Sequence, residues 1–441
     1  MKKLLLLLFL VWPILAGQAQ EAKKSPKSTP TPTPPPPVAL EAAFLPADLW
    51  QTPASQFVEA HKDADKDAGF GWLSEAHDAA QSTRKCVTFL GLPILQSVVR
   101  FQGEKITGVD LQLYNRGDAG ELDRPGYEDL VKKAVTALSA ATRVPFAPRG
   151  RDPSGAVRAD GVIWATPQTD YLLEYSATKA PFRAEFVRLQ LTPSLRAKGM
   201  LAASFEASRK EQAGFRGPSH VTRDPTGGDV VIKDVPMVDQ GEKGYCVVAA
   251  CERLFRYYGI KTDANELAQL ANSSAMYGTS LQAMMESLKK LTARLKIHVR
   301  TLYEIQFQDL ISDYAKEAKK TKDIPLNTDV HLLGELYAQA KPDVLRAARA
   351  RRKGELDSFQ RNVKTRVGEG VPLLWGVILG VLPDGSKAKT PGGHMRLIIG
   401  YNDKTGEILY SDTWGPGHEL KRMPLLDAWA ITTHLDTVEP F

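Results

Sequence analysis

The stretch VDQGEKGYCVVAACERLFRYYG runs from Val238 to Gly259. A turn punctuated by Gly241 and Gly244 delivers Cys246 onto the first turn of an apolar helix, which is expected over about 245–258 and is stopped by Gly259. The amide end of a helix dipole favours a thiolate, so this placement suits a nucleophile better than a structural thiol. Cys251, in the interior of the same helix, reads as a small buried hydrophobe. Gln240, six residues before Cys246, carries a side-chain amide that can join the Cys246 backbone N–H in donating to an oxyanion. Taken alone it is equally an exposed loop residue.

A nucleophilic thiol needs a base, and the later sequence offers one in PGGHMRLIIGYN. Alternation along that expected strand puts His394, Arg396 and Ile398 on one face. The chain turns at NDKTG and returns as EILYSDTWG. Pairing Tyr401 with Glu407 would set Asp412 diagonally from His394 on the same face. Asp412 would then fix the imidazole tautomer while the other ring nitrogen serves the thiol. Two glycines before His394 suggest a close backbone entry. Trp414, two residues after Asp412, is either a shield for the His–acid hydrogen bond or a core aromatic. His331, His418 and His434 have no nucleophile in their neighbourhoods, and His61 and His77 read as surface histidines.

The chain has 441 residues, room for two or three domains at the usual size, and a formal net charge of +6. That charge is too weak over so large a surface to imply a nucleic-acid partner. The opening MKKLLLLLFLVWPILAGQAQ has a basic start, an apolar run broken by Pro13 and a small-residue exit. It reads as a secretory signal peptide over 1–19, cleaved after about Ala19, which makes the mature protein periplasmic or secreted. No later segment is apolar enough to cross a bilayer. The three cysteines are Cys86, Cys246 and Cys251. The last two are about 7.5 Å apart in helical rise alone, too far to bridge.

Residues 20–40 form a Pro/Thr-rich tether, a spacer or a disordered stub. An α+β accessory domain is expected over 41–205, with strands in CVTFLG, ILQSVVRFQ, TGVDLQLY, VIWAT, DYLLEYS and AEFVRLQLT. YEDLVKKAVTALSAAT has helical spacing. A Gly/Pro-rich linker follows over 206–230. The second domain, 231–441, opens with the Cys246 helix and ends in strands VPLLWGVIL, MRLIIGYN and EILYSDTW. Between them lies a charged helical insertion over about 305–367. Its basic run RAARARRKGEL is either a solvated helix face or a contact for an anionic polymer or lipid surface. The histidines and cysteines lack paired ligand spacing, so no metal site is expected, and no phosphate-cradling loop or other cofactor site is seen.

The order QGEKGYC, GGH and DTWG resembles the papain-like cysteine peptidases, and within them most the bacterial double-glycine leader peptidases and their secreted relatives. The resemblance covers roughly 235–414. It implies a papain-like α+β fold, with a leading central helix on a late antiparallel sheet. It also implies a protein or peptide substrate, with Gln240 as oxyanion donor, Cys246 as nucleophile, His394 as general base and acid, and Asp412 as orienter. Against the pattern, this chain has an expected leader, no transporter and a longer insertion between Cys246 and His394. The alternatives are a non-catalytic binding or scaffold module on the same fold, or an acyl transferase using the same thiol. The accessory domain is then either a removable pro-segment or a substrate-recruiting module.

Overall fold

A computed structural model describes residues 36–150, 155–194, 215, 217–241, 244–275, 278–330, 333–383 and 391–441. The expected leader, most of the tether and His331 lie outside the described residues.

The first half is built on an eight-stranded antiparallel sheet. Its central pair is Lys105–Asn115 beside Phe182–Pro193. Alternating apolar residues along these strands, among them Val109, Leu111, Val187, Leu189 and Leu191, are buried. The helix Arg124–Thr142 packs on the sheet and starts where the sequence signals it. Asp123 caps it by accepting from the Gly126 N–H, and Pro125 stands in its first turn. The tether reaches the fold at its end, where Val38–Ala39 pairs in parallel with Val87 and Thr88.

The second half is mixed α and β around its own core. Its eight-stranded sheet runs in the order Val221–Arg223, Asp229–Ile232, Gly392–Asn402, Leu373–Leu379, Thr432–Pro440, Ile297–Glu304. Glu407–Ser411 and Lys421–Pro424 branch from the Gly392–Asn402 strand. The sheet therefore begins at Val221, inside the stretch expected to be linker, because Val221–Arg223 pairs with Asp229–Ile232, which pairs back onto residues 400–402. The helix Cys246–Tyr257 lies against this sheet with ten buried residues, Val248, Leu254 and Phe255 among them. Each such apolar side chain stabilises by about 1.5–3 kcal/mol relative to exposure.

Among the described residues of the insertion from Phe307 to Gly368 there are four helices. Several of its arginines are engaged within the chain: Arg346 pairs with Asp427, Arg351 with Glu317, and Arg352 with Asp313. Arg349 is buried with its guanidinium over Trp429, 4.0 Å from the ring centroid. The stretch reads as an ion-paired helical layer.

One irregularity decides which face Asp412 occupies. The hairpin after the His394 strand pairs Asn402 with Glu407 and Tyr401 with Ile408, one step away from the expected Tyr401–Glu407 pairing. Left uninterrupted, that register would put Asp412 opposite Leu397 and on the wrong face. A bulge between Ile398 and Gly400 removes the offset, so Leu397 faces Ser411. The next pair is then Arg396 with Asp412, and His394 stands diagonal to the acid. Gly400 makes the bulge possible: a Cβ there would lie 2.6 Å from the Val230 carbonyl oxygen. Gly400→Ala is expected to destabilise the protein by about 1–3 kcal/mol in urea unfolding, and to lower thiol-dependent activity more steeply than Gly354→Ala, at an exposed helical glycine with open space around it, does.

Candidate active site

The turn before Cys246 is shaped by its glycines. Gly241 takes a positive φ of +66° and its N–H donates to Asp239 Oδ1 at 2.8 Å. Gly244 packs so closely on the neighbouring loop that a Cβ would lie 2.7 Å from Gly278 Cα. Cys246 then opens the helix, and no side chain caps that end. Cys246 is half-buried, and Cys86, Cys246 and Cys251 are all free. A disulfide between Cys86 and Cys246 would have removed the nucleophile.

His394, Arg396 and Asp412 meet behind the thiol. His394 Nε2 lies 2.5 Å from Asp412 Oδ1, which leaves Nδ1 for Cys246. Arg396 Nε donates to Asp412 Oδ2 at 2.8 Å, and the Thr413 N–H donates to Oδ1 at 2.9 Å. Arg396 and Asp412 are completely buried. Trp414 is no ordinary core aromatic: its ring stacks on His394 with centroids 4.5 Å apart and planes 17° from parallel. It covers the imidazole face beside the carboxylate. Gly392 and Gly393 permit no unusual approach, since a Cβ at either would meet nothing within 4 Å. The close-entry reading of those glycines is therefore wrong.

These contacts set the charges. Burial alone would push the Cys246 thiol up, but the hydrogen bond and charge of His394 outweigh it. Backbone N–H groups of Met395 and Val247 add to that effect, and the thiol falls below its ordinary value. Burial likewise opposes a charged His394, yet hydrogen bonds and charges from Asp412 and Cys246 raise it to about 9. Burial would raise the Asp412 carboxyl, and His394, Arg396 and the Thr413 amide instead hold it far below the usual carboxylate range. Cys251 behaves oppositely: fully buried, with acidic Asp436 and Cys246 nearby, it stays a neutral thiol.

Gln240 is tied to the same group of residues. Its backbone N–H donates to the Thr413 carbonyl at 2.9 Å, and its side-chain oxygen accepts from the Thr413 hydroxyl. All four residues singled out in the sequence are thus joined through hydrogen bonds or the His394–Cys246 contact.

Three residues went unassigned in the sequence. Arg396 was placed on the His394 face without a role. Thr413 links Asp412 to Gln240. Arg253, two turns along the helix from Cys246, is buried and donates to the Asp412 carbonyl at 2.7 Å, the Ser411 hydroxyl at 2.6 Å and the Pro236 carbonyl at 2.7 Å. The only available signal was charge, since an arginine sits in an otherwise apolar helix face. His418 stands edge-on to Trp414 at 5.4 Å, away from the thiol, and His434 faces Glu304 at 3.5 Å. His61 pairs with Asp67, and His77 stacks on Trp72. Among the described residues no group of three or more His, Cys, Asp or Glu could hold a metal ion. No helix there is long and apolar enough to cross a membrane.

Residues 232–436 match the Peptidase_C39 like family, a span that contains Gln240, Cys246, His394 and Asp412 and is just under half the chain. The match supports a cysteine peptidase of the papain-like kind in this part. Among solved structures, xylellain, a cysteine protease from Xylella fastidiosa, is similar at 12% identity and a TM-score of 0.26. The likeness covers 50% of this chain and 90% of that one, and at such a score carries no argument. No curated protein matches the chain.

The charge arrangement has a measurable consequence. Iodoacetamide should label Cys246 at pH values where an exposed thiol is still protonated. The labelling rate should change again as pH rises through about 9, where His394 loses its proton and the thiolate its imidazolium neighbour. Rate profiles against pH, with labelling read by mass spectrometry, check both limbs.

Proposed function

We propose that the chain is a secreted thiol peptidase that hydrolyses peptide or amide bonds through Cys246, His394 and Asp412, with Gln240 as oxyanion donor. The observation that carries this reading is the hydrogen-bonded His394–Asp412 pair in contact with a half-buried cysteine at an uncapped helix start. Cys246 attacks the carbonyl carbon as a thiolate. Negative charge moves to the carbonyl oxygen, where the Gln240 amide and the Cys246 backbone N–H receive it. His394 hands its proton to the departing amine, a thioester remains on Cys246, and water activated by His394 releases the acyl group. Asp412, kept anionic by Arg396, holds the imidazole in orientation throughout.

The family match supports a relation to the leader peptidases at the level of the family. The leader-like N-terminus supports secretion, and the two separate cores support an accessory domain followed by a peptidase domain. The substrate is read as a peptide or protein without a double-glycine requirement.

Cys246→Ala should abolish cleavage of labelled casein and labelling by epoxide probes while leaving circular dichroism unchanged. Gln240→Ala should lower kcat by about a hundredfold. Full cleavage by the Cys246→Ala protein would contradict the mechanism.

A further inference from the structure

The residue immediately before the nucleophile belongs, by its contacts, to the other half of the molecule. Tyr245 is buried, and its hydroxyl donates to Asn115 Oδ1 at 2.6 Å. Asn115 ends the central strand of the first sheet, and the same oxygen accepts from the Gly117 N–H at 2.8 Å. Its amide nitrogen donates to Asn265 at 2.6 Å, so the side chain is fixed at both ends. Gly117 is glycine for a steric reason: a Cβ there would lie 1.4 Å from the Tyr245 hydroxyl oxygen. The phenol thus fills a socket that only glycine leaves open.

A second route reaches the other side of the same turn. Arg116 and Arg183 of the first half donate to Asn272 Oδ1 at 3.0 and 2.6 Å. Asn272, at a positive φ of +54°, leads into the loop closed by Ser274 and Gly278. Gly278 is the residue against which Gly244 packs. Gly244 and Tyr245 are therefore both held from the first half, one through the loop and one directly. Cys246 follows them by one peptide bond.

We propose that the first half is a fixed positioning part of the catalytic turn, and that Asn115 and Tyr245 are positioning residues for the Cys246 thiol. This inference rests on the peptidase reading above. A removable pro-segment would take Asn115 and the Gly117 socket away from Tyr245 on activation, uncovering the phenol and releasing the turn that carries Cys246. A recruiting module would have no reason to grip the residue next to the nucleophile. The contact acts by geometry: losing it lets the Cys246 turn drift from His394, so the thiolate loses its imidazolium neighbour.

The test uses the full chain and iodoacetamide, with the Cys246 peptide followed by mass spectrometry across pH. Tyr245→Phe keeps the ring and its packing and removes only the hydroxyl. Asn115→Ala removes the partner. Gln269→Ala, which loses the 2.9 Å bond from Ser176 in the same interface, is the control for general loosening. The first two variants should alkylate about tenfold more slowly at neutral pH. Their thiolate midpoint should move up, and casein cleavage should lose kcat with little change in KM. Gln269→Ala should match the parent in all three readouts. A reactive parent whose Tyr245→Phe and Asn115→Ala variants keep its pH profile and kcat, even with lowered melting temperatures, overturns the inference alone. A parent whose Cys246 does not react at all overturns the peptidase reading, and the inference with it.

Discussion

The second half of this chain is organised around one buried negative charge. Asp412 has no exposure to solvent, and an unpaired carboxylate there would be prohibitive. Its oxygens are met by His394, Arg396 and the Thr413 amide, and its carbonyl by Arg253. The four partners come from three elements: the strand of His394 and Arg396, the returning hairpin, and the helix that Cys246 opens. Removing one side of such a buried pair costs roughly 3–5 kcal/mol, so the requirement to satisfy Asp412 also fixes how those three elements sit together. The same satisfaction keeps the carboxylate anionic, raises His394 and thereby lowers Cys246. Stability and chemistry draw on one set of contacts.

Much of this was readable before any coordinates. Cys246 after a glycine turn, His394 on an alternating strand and an acid two residues before a tryptophan follow from residue type and spacing. The helical insertion and most strands follow from periodicity. The bulge at Ile398–Gly400 could not be read, because nothing in GYNDKTG says where the hairpin register changes; the close approach of Val230 that requires glycine exists only in the fold. The edge strand Val221–Arg223 and the start of Asp229–Ile232 fall within the expected 206–230 linker, because short edge strands carry little periodicity and lie in a Gly/Pro-rich region. Arg253 and Thr413 act on partners 159 and 173 residues away, and local pattern has no access to such contacts. Gly392 and Gly393 show the converse error, a glycine pair given a purpose that the backbone does not require.

The two halves have separate sheets and cores, yet their junction is polar and well satisfied. Arg188 of the first sheet donates to Glu174 at 2.8 Å and to Glu266 at 3.2 Å, and it pairs with Asp263, which caps the helix Ala264–Leu270. The buried Glu266 also accepts from the Ala156 N–H at 3.0 Å. An interface that carries Arg188 paired with Asp263 and Glu266 across the junction resists separation, since parting would break those ion pairs. That distinguishes it from a loosely tethered module, and it places the nucleophile turn at a boundary held from both sides.

The central claim is that thiol and imidazole form an ion pair sustained by the Asp412 carboxylate. Titration of the histidine ring nitrogens by ¹⁵N NMR, in the parent and in Cys246→Ala, reads that pair directly. The account requires His394 to stay protonated up to about pH 9 in the parent, and to titrate at lower pH once the sulfur is gone. A His394 that titrates near 6.5 in both proteins, as an unperturbed imidazole does, would contradict it.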